Sequence, residues 1–308
     1  MKRRTLGMFV AERRLQNGAA RFIPSTLQNQ RSNDMPITDA LPDMQRELKF
    51  FPCENDRPQK LTAAQIRQYN EKGYISPLDV FTPQEAEANR AYFDDLMQRA
   101  KEAGHNSYSI NGWHRHCRGL YDVLHEKRIL DYAEDLLGPN LVSIMTHYFS
   151  KEPGDGKQVS WHQDASYWPL TPSKVVTVWL AIDDVDEENG PMMVIPGSHL
   201  HGQIPFEHSA AEENNVLGQS VHDPLHWGDA PVPFTMRAGQ ISMHTDMLLH
   251  GSEPNRSTRR RCGLTLRYMP PDVHTREAEH AHGYLCRGED ESGYWMSWPV
   301  PEGDAIPA

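Results

Sequence analysis

Val159-Ser160-Trp161-His162-Gln163-Asp164, taken with the distant Leu248-Leu249-His250-Gly251-Ser252, decides how this chain is read. Side chains alternate along an extended strand, so His162 and Asp164 share one face. His250 can join them only if two distant strands meet at one point, as in a barrel or a two-sheet sandwich. The surrounding pattern agrees. Short apolar runs at 141–149, 175–183, 192–195, 240–243 and 264–268, punctuated by Gly and Pro, predict strands. Helical signals come first. Thr62 is a plausible cap for a helix ended by Gly73, and 74–78 should be a strand. Thr82, Pro83 and Glu85 open a second helix reaching about residue 103. A third is expected over 120–137. Helices first and strands later argue against a parallel α/β fold. The expectation is a mostly β protein, a double-stranded β-helix (jelly roll) with helices packed on one sheet. Its helical part covers about 61–140, its jelly-roll core about 141–272 and a C-terminal extension 273–308. The long polar segment 201–234 is expected to be a loop that partly covers the site.

Two histidines and a carboxylate on one point form the facial triad of non-haem Fe(II) centres. Three protein ligands leave octahedral positions open for a co-substrate and dioxygen. With 16 histidines in the chain, a His-x-Asp has little meaning alone. Its neighbours carry the argument.

Length and composition bound the alternatives. At 308 residues the chain can bury a large core, and residues 35–308 read as one domain. No apolar run approaches the ~20 residues that span a bilayer, so no membrane association is expected. Residues 1–34 hold seven Lys/Arg against two acidic residues, so the body is more acidic than the net charge of −11 implies. An acidic body argues against nucleic acid as a partner. The basic tail lacks the apolar core of a secretory signal; it reads as disordered, or as translated sequence before a start at Met35. The four cysteines are scattered without a Cys-x-x-Cys, which predicts reduced thiols in a cytoplasmic protein. Oligomeric state is open.

Four blocks between Ile144 and Met269 resemble the phytanoyl-CoA dioxygenase family of Fe(II)/2-oxoglutarate oxygenases. They are Trp161-His162-Gln163-Asp164-Ala165-Ser166-Tyr167-Trp168-Pro169; Val178 to Asp184 running into Glu188-Asn189-Gly190-Pro191-Met192; Val194-Ile195-Pro196-Gly197-Ser198-His199; and His250 to Ser257 followed by Arg259-Arg260-Arg261. The resemblance implies that His162, Asp164 and His250 are the iron ligands and catalytic centre. It implies that Arg261, eleven residues past His250, grips the far carboxylate of 2-oxoglutarate, which suits a guanidinium fork. Trp179, Ser252, Gln163 and His147 fall at co-substrate-contacting positions, although strict alternation would turn Gln163 away from the metal. Among the three consecutive arginines the spacing favours Arg261 over Arg260. Gly263, Thr265 and Arg267 would share its face.

The resemblance further implies oxidative decarboxylation of 2-oxoglutarate to succinate and CO2, with dioxygen and a small-molecule substrate, and with ascorbate as a possible support. Related halogenases lack the carboxylate, so Asp164 argues for hydroxylation. A small polar or zwitterionic substrate is expected. Candidate substrate residues are Trp113, His114, Arg115, Tyr167, Trp168 and His244, the last also a competitor of His250 for the metal. His199, His201 and His208 read as surface or turn residues, and Trp295 and Trp298 as packing. Two rivals remain: a cupin-like metalloenzyme that does not use 2-oxoglutarate, and a non-catalytic member acting in binding.

Overall fold

Thr62 and Thr82 open their helices in the same way. Each side chain accepts a hydrogen bond from the backbone N–H three residues on, while Gln65 or Glu85 reaches back to the cap's own N–H. α1 (Ala63–Lys72) ends at Gly73, whose φ of +85° only glycine adopts freely and whose N–H caps Tyr69 O. The turn delivers the chain directly into β1 (Tyr74–Asp79). α2 (Pro83–Glu102) follows. The helix expected over 120–137 is two helices, α3 (Arg118–Leu124) and α4 (Lys127–Leu137). They break because the Glu126 carboxylate accepts from Arg128 N and binds the Arg128 guanidinium, so it caps a new helix instead of continuing the old one.

This computed structural model describes residues 37–210, 214–276 and 279–307. The basic stretch 1–34 lies outside them. From residue 141 the chain forms strands. They are β2 (Leu141–Lys151), β3 (Val159–His162), β4 (Leu170–Thr171), β5 (Val176–Ala181) and β6 (Met193–Val194). Next come β7 (Glu207–His208), β8 (Gln219–Ser220), β9 (Val232–Pro233), β10 (Gln240–Thr245) and β11 (His250–Ser252). β12 (Arg261–Met269), β13 (His274–Thr275), β14 (Ala281–Arg287) and β15 (Trp295–Ser297) complete the set. A seven-stranded sheet has the order β1-β10-β5-β12-β2-β14-β15, and a four-stranded sheet the order β3-β11-β6-β9. Pairing is antiparallel except between β14 and β15. This is the double-sheet jelly roll.

Alternation divides the large sheet into two faces. Val176, Val178 and Leu180 of β5, Ile241 and Met243 of β10, and Leu264, Leu266 and Tyr268 of β12 join one core with Phe93, Leu96, Leu120 and Ile129 of the helices. Thr177, Trp179, His244, Gly263, Thr265 and Arg267 turn the other way, toward the small sheet. Both faces are covered, so every residue of β5 and β12 is buried.

Three expectations change here. Segment 201–234 is not one free loop: β7 and β8 pair, β9 extends the small sheet, and Val221 N donates to Trp161 O at 2.8 Å. It braces β3, and none of its described residues lines the metal cavity. The C-terminal extension supplies the edge of the large sheet, with Trp295 donating its indole N–H to Val273 O. His199 does occupy a turn but is fully buried, against Phe50 and Asn70 O. Among the described residues all four cysteines are free, and no helix is long and apolar enough to cross a membrane.

Candidate metal centre

His162 ends β3, His250 opens β11, and the two stand directly opposite in the small sheet. Asp164 lies beyond the strand, at the head of a single 3-10 turn (Asp164–Ser166). The alternation survives because Gln163 keeps an extended backbone, φ −108° and ψ 131°. One ligand atom from each of His162, Asp164 and His250 lies within 4.8 Å of the others. Donor atoms gathered this closely from two histidines and a carboxylate can converge on a single ion.

The surroundings orient each group for a metal. His162 Nδ1 is 2.8 Å from Ser160 O, and His250 Nδ1 is 2.9 Å from Leu248 O. Each ring thus donates from Nδ1 to the carbonyl two residues before it and keeps Nε2 free as ligand. Thr177 Oγ1 donates to Asp164 Oδ2 at 2.8 Å, while Oδ1 faces His162 Nε2 at 3.8 Å. Burial holds both imidazoles below their ordinary pKa, in the neutral form that binds metal. Burial would raise the Asp164 carboxyl, but the Arg267 guanidinium, with Nη2 3.9 Å from Oδ1, and the flanking histidines hold it well below the usual range. The donor set of two imidazoles and one carboxylate, with its orientation, fits a first-row transition-metal ion such as Fe(II).

The three arginines part company. Arg259 pairs with Asp186 and Glu188 at the surface, and Arg260 with Asp183 and Asp94 beside α2. Arg261 turns inward and is 2% exposed. Its Nε donates to Gly190 O at 3.0 Å, its Nη2 to Ser252 Oγ at 3.3 Å, and its guanidinium lies 5.8 Å from the Trp179 ring centre. Gly263 makes room for that indole, since a Cβ there would sit 1.9 Å from Trp179 Cζ2. Arg261, Ser252 and Trp179 line the same cavity as His162, Asp164 and His250.

His244 also lines the cavity. Its Nε2 is 3.8 Å from Asp164 Oδ2, too long for a hydrogen bond, and neither ring nitrogen has a hydrogen-bond partner among the described residues. Tyr167 packs its ring edge-on to His162, and Trp168 lies under the Arg267 guanidinium, so both back the site without lining it.

Other candidates sit elsewhere. Gln163 points away from the metal. Its amide donates to Met247 O and Gly202 O and accepts from Ile204 N, clamping two loops. His147 faces the metal side of β2, but its Nε2 bonds Tyr108 O at 2.9 Å and its neighbour Phe149 takes the cavity wall. Trp113, His114 and Arg115 do not reach the cavity. His114 hydrogen-bonds Thr146, whose side chain lies on the helix-covered face of β2, and packs against Tyr284 and Trp298; Arg115 stacks on Trp298. A cationic cluster beside a tryptophan looked like a binding loop, but it plugs the far side of the sheet. Sequence reasoning missed Thr177 and Met192. Thr177 was accessible in principle, two residues before Trp179 and therefore on its face.

Comparison with known proteins agrees. The family model described as Phytanoyl-CoA dioxygenase (PhyH) matches residues 69–263. Bovine peroxisomal phytanoyl-CoA dioxygenase is 30% identical over 156 residues, 49% of this chain and 46% of that protein. The chain thus spans about half the length of such peroxisomal relatives. A probable alpha-ketoglutarate-dependent hypophosphite dioxygenase of Stutzerimonas stutzeri is 27% identical over 234 residues, 68% of this chain and 79% of that protein. The apo structure of the non-heme monooxygenase ThoJ superposes with a TM-score of 0.66 at 27% identity, covering 77% of this chain and 88% of that one. Its nickel complex superposes at 0.62. The chain belongs to the phytanoyl-CoA dioxygenase family of Fe(II)- and 2-oxoglutarate-dependent oxygenases.

Proposed function

We propose that this chain is an Fe(II)- and 2-oxoglutarate-dependent dioxygenase that hydroxylates an unactivated C–H bond of a small polar or zwitterionic metabolite, releasing succinate and CO2. One observation carries the reading. Three oriented ligand atoms lie within 4.8 Å of one another and share a cavity with an inward arginine. In this reading His162 Nε2, His250 Nε2 and Asp164 Oδ1 hold the metal, and Arg261 with Ser252 receives the far carboxylate of 2-oxoglutarate. When bound, iron supplies the splitting of dioxygen, one oxygen atom going to the substrate carbon and the other to succinate as 2-oxoglutarate loses CO2.

The chain's own residues position and exclude. Thr177 fixes which oxygen of Asp164 is free. Trp179, Phe149 and Met192 wall the cavity with apolar surface, which keeps water from the reacting centre. A small substrate is supported by the hypophosphite dioxygenase likeness, which extends over most of both chains. The test is succinate formation by anaerobically purified protein given Fe(II), 2-oxoglutarate, dioxygen and ascorbate, with His162→Ala as control. Iron-dependent succinate, lost in the control, is expected. No turnover together with no binding of iron or 2-oxoglutarate would sink the reading.

A further inference from the structure

β12 sends two guanidinium groups into one cavity. Arg261 and Arg267 lie on the same face, separated by Gly263 and Thr265, a distance of about 20 Å along the strand. Arg261 has its partners in Ser252 and Gly190. Arg267 does not. Its side chain is 7% exposed, yet only Nη1 makes a full hydrogen bond, to Thr265 Oγ1 at 2.9 Å. Nη2 stands 3.9 Å from Asp164 Oδ1, and Nε has no partner among the described residues. The guanidinium lies over the Trp168 ring, 4.9 Å from its centre, and lines the cavity. His244, on the opposite side of Thr177 from it, also presents two ring nitrogens with no partner among the described residues. A desolvated guanidinium with idle donors is costly unless an acceptor completes it.

Asp164 does not complete it. Its Oδ2 is taken by Thr177 and its Oδ1 is the atom that faces the metal position. Charge leads the same way. Among the groups lining the cavity, two guanidiniums and a divalent metal are met by one carboxylate and a dianionic co-substrate, leaving one positive charge unmatched. This step rests on the functional reading above.

We infer that Arg267, with His244 lining the same cavity across Thr177, anchors the anionic group of the primary substrate, which is a small molecule carrying one negatively charged oxyacid group: a carboxylate, phosphonate or phosphinate. The fork binds such a group by two parallel N–H donors, and this places the rest of the molecule against the metal position.

The test is thermal shift of the Zn(II)-loaded protein, which binds without turning over. Glycolate, methylphosphonate and hypophosphite are titrated with and without 2-oxoglutarate, against the neutral acetamide and ethylene glycol. The wild type should be stabilised saturably by at least one anion and by neither neutral compound. Arg267→Gln should weaken that anion on the order of tenfold or more while keeping the 2-oxoglutarate shift. Arg267→Lys, which keeps the charge without the fork, should fall between and serves alone if the glutamine variant does not fold. Equal anion binding by wild type and variants, stabilisation by the neutral compounds alone, or no anion effect in the wild type overturns the inference. So does loss of the 2-oxoglutarate shift in Arg267→Gln, because Arg267 would then hold the co-substrate. Absence of any 2-oxoglutarate shift in the wild type would instead overturn the functional reading.

Discussion

Thr177 lines the cavity and holds Asp164 Oδ2 at 2.8 Å. A carboxylate tethered by one oxygen presents the other in a fixed direction, and outer partners of this kind are worth about 10–100-fold in metal affinity. Thr177→Val keeps the shape and removes the donor. Divalent metal should bind 10–100-fold more weakly, with Thr177→Ser restoring most of the loss, as chelator competition would read. A valine variant with unchanged affinity would mean that His162 and Arg267 alone orient the carboxylate. At the other end, Arg261→Lys is not a conservative change, because lysine offers no fork to match a carboxylate. The KM for 2-oxoglutarate should rise by about 100-fold or more in Arg261→Ala, nearly as far in Arg261→Lys, and metal binding should stay within a few-fold. That His162 and Asp164 share a face was legible in the sequence because alternation needs only residue order, whereas His250 was reached through the family resemblance of its block. The direction of Gln163 was legible on the same ground. The role of Thr177 was not, since it depends on which strand lies beside Asp164.

At the scale of elements, β12 shows why the site tolerates little change. Leu264, Leu266 and Tyr268 pack under the helices, whereas Arg261, Gly263, Thr265 and Arg267 face the metal. A slip of one residue would exchange the two sets. Gly263 is the tightest point. Its missing Cβ is the space occupied by the Trp179 indole, with β2 and β5 paired on either side. Gly263→Ala should cost about 1–3 kcal/mol through overpacking. It should also displace Trp179 from Arg261, so that 2-oxoglutarate binds more weakly and quenches tryptophan fluorescence less. A variant with wild-type melting temperature and quenching would show that the indole swings aside freely. Helix starts were readable here because Thr62 and Thr82 advertise their caps locally. The break at Glu126 was not, because it rests on a carboxylate captured by Arg128, and Arg128 is itself held by Glu85 on another helix. The 201–234 segment misled for a related reason. Its short strands have no periodicity of their own: β7 and β8 exist only as a pair with each other, and β9 only as an addition to β6.

Across the whole molecule, stability should record the charge crowding around the site. Asp246, beneath the cavity, accepts from Ser173 and Thr245, and burial with the nearby Asp164 charge pushes its carboxyl up to about 7. In the unfolded chain an aspartate titrates near pH ~3.9. Between roughly pH 4 and 7 the metal-free folded state therefore holds a proton that the unfolded state has lost. Stability from this group falls as pH rises through that window, by about 1.4 kcal/mol per unit at most. Asp164 acts in a separate range: its carboxyl is held low, so its contribution is present above about pH 4 and lost below. The buried imidazoles of His162, His250 and His147 oppose Asp246. Each is held below its ordinary value, so the unfolded state takes up their protons first as the solution is acidified. A single pH profile mixes these slopes, but the difference between Asp246→Asn and the wild type isolates one of them. Urea unfolding of chelator-treated protein should show Asp246→Asn gaining about 2–3 kcal/mol relative to the wild type between pH 5 and pH 8. A constant difference across that range would mean that Asp246 is already ionised in the fold. Added Zn(II) should narrow the gap at pH 8, because a divalent ion at His162, Asp164 and His250 offsets the negative charge that keeps Asp246 protonated.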